Sequence, residues 1–137
     1  MGWADYEECR KGGAIIATAH AHSYARTRTL SNTQTQTVDP AWPGANTLRV
    51  VPGSTFVFHA GLGGRGIGNH ERCLPLTYPY GCKGEWAKIY TIDQSAKFGA
   101  LFITFNVDGG AFFNIKDSLT PIDSFTITAD PFAPPPP

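Results

Sequence analysis

The chain has 137 residues, 42% hydrophobic and 16% charged, enough apolar surface for one domain with a core and too little charge for charge-driven disorder. Eleven basic and eleven acidic residues give a formal net charge of zero, which argues against a polyanion-binding surface or a polybasic membrane anchor. No apolar run approaches the roughly 18 residues that span a bilayer, no secretory-leader pattern is read, and 15 Gly with 11 Pro favour a loop-rich, strand-rich chain.

Residues 2–11 place Trp3, Tyr6 and Cys9 on one helical face, where Cys9 reads as a packed thiol. Gly12-Gly13 should end that helix, since glycine accepts the left-handed conformation at no steric cost. Residues 14–18 (AIIAT) are a nearly unbroken apolar run and predict a strand buried on both faces. Helix, glycine pair and buried strand make half of a βαβ unit, whose first strand is expected upstream of Met1.

Residues 31–52 are polar and rich in Thr, Asn and Pro, predicting a long surface loop with one short strand near 48–51. Residues 55–59 (TFVFH) alternate as a strand, with Thr55, Val57 and His59 opposite Phe56 and Phe58, and run into the glycine-dense AGLGGRGIGNHE. His59 is expected to be a satisfied or edge-exposed histidine of the sheet rather than a ligand. Residues 72–86 are dominated by turns. Within them Cys73 and Cys82 bracket LPLTYPYG, and the pair either closes that loop as a disulfide in an oxidising compartment or remains two thiols. Trp42, Tyr78, Tyr80 and Trp86 read as loop aromatics covering the sheet ends, with a sugar-binding platform as the alternative.

FGALFITFNV, residues 98–107, is the strongest strand signal. Asp108-Gly109 supplies turn chemistry, residues 111–115 return, residues 118–121 turn again, and residues 122–128 form a third strand, predicting an antiparallel meander. The closing PFAPPPP reads as extended, linker-like chain, dividing the protein into a domain over 1–130 and a Pro-rich tail over 131–137.

The chemistry concentrates in residues 15–30, IIATAHAHSYARTRTL, where His20 and His22 follow a strand end. Imidazoles two apart on a regular strand point to opposite faces, but a strand-to-loop bend can turn both towards one site. Neutral imidazole suits Zn, Fe, Cu and Ni. For an isolated His-x-His, the alternative is two ordinary polar loop histidines.

Ala19-His20-Ala21-His22-Ser23-Tyr24-Ala25-Arg26-Thr27 resembles the last metal-binding motif of calcineurin-like metallophosphoesterases, the superfamily that includes purple acid phosphatases. DYEECRKGGAIIAT resembles the family's segment leading into that motif, and FGALFITFNVDGG with PIDSFTIT resembles its closing strands. The resemblance implies an α/β, β-rich fold: the C-terminal part of a metallophosphoesterase sandwich, with mainly antiparallel strands and one N-terminal helix. It implies that His20 and His22 each bind one metal of a dinuclear Fe, Zn or Mn centre, with Tyr24 and Arg26 shaping the pocket. Ala19 stands where the family usually has Gly. The family's Asp, Asn and further His ligands precede its His-x-His, whereas here the acids before His20 are Asp5, Glu7 and Glu8.

The expectation is therefore a fragment of a secreted, extracellular or periplasmic phosphoester hydrolase that supplies two metal ligands and is inactive alone, with weak or no metal binding by itself. No nucleic-acid or membrane partner is expected. Self-association through an uncovered sheet face or edge is. Gly68-Asn69-His70-Glu71 spells the family's Asn-His-Asp/Glu motif, but after the His-x-His rather than before it. GLGGRGIG lacks the Gly-Lys-Ser/Thr ending of a phosphate loop. The rival reading is a small extracellular β-sandwich that binds carbohydrate or protein without catalysis. Asn106, Asp108, Asn114 and Asp117 do not have the spacing of a recognisable calcium site.

Overall fold

Helix α1 spans Trp3–Gly12 in the computed structural model, which describes residues 2–69, 71, 74–75, 77–105, 110–114 and 120–135. The Asp5 carboxylate accepts the Gly2 amide N–H at 3.0 Å, and Gly13 closes the helix at φ +70°, its N–H reaching the Arg10 carbonyl. No α1 residue is buried, and Cys9 is half-buried rather than packed inside. Polar contacts hold the helix instead. The Glu7 carboxylate accepts N–H bonds from Arg10 Nε at 2.9 Å and Thr33 N at 2.6 Å, together with the Thr33 hydroxyl. Arg10 also donates to the Gly53 carbonyl at 2.7 Å. The Arg10 hydrogen bond, helped by those from Thr33 and opposed by desolvation, holds the Glu7 pKa down to about 2.

Ten strands follow among the described residues: β1 (Ile16–Thr18), β2 (Tyr24–Thr27), β3 (Leu30–Asn32), β4 (Thr37–Val38), β5 (Thr47–Arg49), β6 (Val57–Ala60), β7 (Trp86–Tyr90), β8 (Gly99–Ile103), β9 (Gly110–Asn114) and β10 (Pro121–Thr128). The first sheet has the order β1-β6-β2-β7 and the second β5-β10-β9-β8, while β3 and β4 pair as a separate hairpin. The chain is β-rich with one α-helix. Both large sheets are mixed: β1 runs parallel to β6 and β5 parallel to β10, and the other pairings are antiparallel. The expected meander is β8-β9-β10; its turns at 108–109 and 118–119 lie outside the described residues.

Three expectations are corrected. Residues 14–18 are not buried on both faces: Ile16 is buried and Ala17 exposed, because β1 stands at the end of its sheet, where one face is covered. The polar stretch 31–52 holds more than the one short strand expected near 48–51: β5 lies close to that place, and the stretch also contributes β4 and continues β3. Trp86 belongs to β7, a strand that the turn-dominated reading of 72–86 misses.

The inner face of the first sheet is fixed by β2. Tyr24 and Arg26, two apart, share that face, and their cross-strand partners on β6 are Ala60 and Phe58. Asp123 of β10 ties the sheets together. Its carboxylate accepts the Tyr24 hydroxyl at 2.7 Å, Arg26 Nε at 2.7 Å and Arg26 Nη2 at 3.0 Å. The remaining Arg26 donors reach the Ala45 carbonyl at 2.8 Å and Asn46 Oδ1 at 2.9 Å, and the guanidinium lies 4.5 Å from the Phe125 ring centre. Around this ion pair pack Leu48, Val50, Phe56 and Phe125 on one side and Tyr24, Leu62 and Tyr90 on the other. Burial, then the Asp123 charge, pushes the Tyr24 hydroxyl pKa well above its ordinary value.

Candidate functional site

Strands β1 and β6 run parallel, in the register Ile16↔Val57 to Thr18↔His59, so they deliver their carboxyl ends to the same edge of the sheet. In open sheets containing parallel strands, ligands gather outside those ends. The two loops that leave this edge, 19–23 and 61–69, are tied to each other. Gly61 N–H donates to the Ser23 carbonyl at 2.9 Å, and Gly68 N–H to the His22 carbonyl at 2.8 Å. Gly61 has to be glycine, since a methyl group there would collide with the Ala21 carbonyl oxygen. A Cβ at Gly66 would lie 4.0 Å from His22 Nδ1, so the glycine-dense loop passes directly beside that imidazole.

His20 and His22 are both exposed on this edge but have different neighbours. His22 lies beside the glycine loop. His20 instead lines a cleft of about 620 Å³ on the outer face of the first sheet. The cleft floor includes Thr27, Val57, His59 and Trp86, and α1 contributes Trp3 and Tyr6 to its wall. His59 is buried, its Nε2 lies 2.8 Å from Ser23 Oγ, and its ring meets Trp86 edge-on at 5.9 Å. That is the satisfied histidine expected from the strand pattern. It also borders the cleft, which sequence alternation does not reveal.

Tyr24 and Arg26, assigned by resemblance to shaping the pocket, stand between the sheets in the Asp123 network and do not line this cleft. The Gly68-Asn69-His70-Glu71 segment is separated from His22 in sequence yet begins against it in space. Asn69 Nδ2 approaches Glu71 Oε1 at 3.5 Å, and His70 lies outside the described residues. Cys73 lies outside them as well, and with it the candidate bridge to Cys82, whose side is exposed. Of the loop aromatics, Trp42 is buried with its Nε1 donating to the Thr47 carbonyl at 2.9 Å. Tyr78 stays half exposed, edge-on to Tyr80 at 5.9 Å.

The donor set suits a transition metal only in part. Imidazole nitrogens are the right chemistry for Zn, Fe or Mn, but a hydrolytic centre takes three or more protein ligands per site. Among the described residues no group of three or more His, Cys, Asp and Glu is gathered to hold a metal ion. His20 and His22 by themselves offer fewer donors than such a centre takes. Comparison with protein-family models, curated proteins and solved structures returned no match. Among the described residues no helix is long and apolar enough to cross a membrane.

Proposed function

We propose that this chain is the C-terminal part of a metal-dependent phosphoester hydrolase domain, contributing His20 and His22 as metal ligands and inactive by itself. The observation that supports this reading is the position of both imidazoles, exposed at the carboxyl end of the parallel β1–β6 pair, with His22 beside a glycine-dense loop. That is where the resembled motif carries its last two ligands. In this reading the remaining ligands come from polypeptide outside these 137 residues. The acids before His20 do not fill the role, since they lie on α1 and Glu7 is already committed to Arg10 and Thr33. A bound metal pair would supply a nucleophilic hydroxide and charge neutralisation of the phosphoryl group. The part left to this chain is to present two imidazoles on a fixed edge.

Zinc or iron titration of the purified chain, read by metal analysis after gel filtration, tests this. Weak binding of about one ion per chain that disappears in His22→Ala supports the reading. A response to calcium alone that also requires a sugar would favour the non-catalytic binding module. Turnover of p-nitrophenyl phosphate by the chain on its own would refute its inactivity.

A further inference from the structure

Among the residues lining the outer cleft is an acidic one that the phosphoesterase reading does not use. Glu85 lines it, at 2% exposure, just before β7. One carboxylate oxygen accepts the Lys83 amide N–H at 2.8 Å, and the Glu85 carbonyl accepts the Arg28 N–H at 2.8 Å, which fixes the residue at both ends. The backbone is shaped around the carboxylate: Gly81 has φ +89°, and a side chain there would collide with Glu85. No lysine or arginine among the described residues forms an ion pair with Glu85, and none lines the cleft. The nearest ammonium in sequence, Lys83, turns away to the Thr35 carbonyl at 2.7 Å.

We propose that this cleft binds an organic ammonium ion of the choline type. A buried carboxylate with no lysine or arginine partner among the described residues favours a negative potential nearby, because low-dielectric surroundings screen it poorly. Trp3, Tyr6 and Trp86 also line the cleft, and aromatic rings are the usual partners of alkylated ammonium groups. A small inorganic cation would have to shed a tightly held hydration shell to enter. An alkylated ammonium is weakly hydrated and also covers apolar wall. Trp3, 49% exposed on α1, leaves ring surface that a ligand in the cleft could cover. His59, hydrogen-bonded to Ser23, forms part of the floor. This inference stands independently of whether His20 and His22 bind metal.

The test is a titration of the metal-free full chain with choline, followed through the indole N–H signals of its three tryptophans in ¹H–¹⁵N spectra. Trp3 and Trp86 are expected to shift together, while Trp42, hydrogen-bonded to Thr47 on another side of the molecule, stays still. The neutral isostere 3,3-dimethylbutan-1-ol should bind at least tenfold more weakly. Glu85→Gln should lower choline affinity at least tenfold. Should that variant fail to fold, Trp3→Ala, on an exposed helix surface, should still lower it about fivefold. Equal binding of the neutral isostere, shifts confined to Trp42, no shift up to tens of millimolar choline, or unchanged affinity in Trp3→Ala would each overturn the proposal.

Discussion

The two faces of the first sheet are built from the same strands by opposite rules. On the inner face, β2 spends Tyr24 and Arg26 on one carboxylate, Asp123, and aromatic packing seals the group from water. On the outer face the same strand shows Ala25 and Thr27, β6 shows His59, and the surface is left as a cleft walled by a helix with no buried residue. Alternation along a strand, two residues per repeat, separates a structural surface from a usable one with no extra element. The residues most tempting to assign to chemistry by position in the motif, Tyr24 and Arg26, are on the structural side.

Variants can break this contrast, and the inner face should respond most. Asp123→Ala leaves the Arg26 guanidinium buried without its counter-ion, and a loss of about 3–5 kcal/mol in urea unfolding is expected. A loss under 1 kcal/mol would mean that the inner face is not the keystone described. Gly61→Ala acts at the edge where the faces meet. Overpacking against Ala21 should cost about 1–3 kcal/mol and displace the 19–23 loop, weakening any metal binding at His22 as well as stability.

Glu7→Gln tests the outer wall. It should cost about 1–2 kcal/mol, lost from helix anchoring while the sandwich stays intact, and amide exchange in residues 3–12 would report it. The pH dependence follows from the same group. Its carboxyl is held below its ordinary 4.5, so the clamp is at full strength above that value and is lost as pH falls towards about 2. Acid should therefore loosen α1 over that window, and an α1 that loosened on raising the pH instead would contradict the clamp. The smallest effect belongs to Glu8→Ala. Its ion pair with Lys11 is solvent-exposed, and a change within about 0.5 kcal/mol is expected.

How much of this was legible beforehand depends on the range of the interactions. The helix stop at Gly12-Gly13 and the meander of β8, β9 and β10 are local, written as glycine chemistry and alternation, and they appear where the sequence puts them. The β3–β4 hairpin was hidden because its strands are two or three residues long and mostly polar, so no apolar period marks them, whereas β5 lies close to the short strand expected near 48–51. β7 was hidden behind a run of turns, although WAKIY carries two buried positions at its end. At the candidate site, His20 and His22 were named from the motif and do reach a loop edge. The meeting of His22 with Gly68 depends on β6 returning beside β1, a pairing set by the fold rather than by neighbours in the chain. Asp123 lies 97 residues from Arg26, and no local pattern connects them.

That last separation governs the order of events in folding. Contacts between distant residues bear a loop-closure cost before they return any stability, so the joining of the two sheets should be late and slow. Until β10 is in place, Arg26 has no carboxylate to meet, and a nascent chain that has emerged only through β8 carries an apolar inner face around an unmatched cation. The interval between those two moments is when aggregation is expected to compete most with folding.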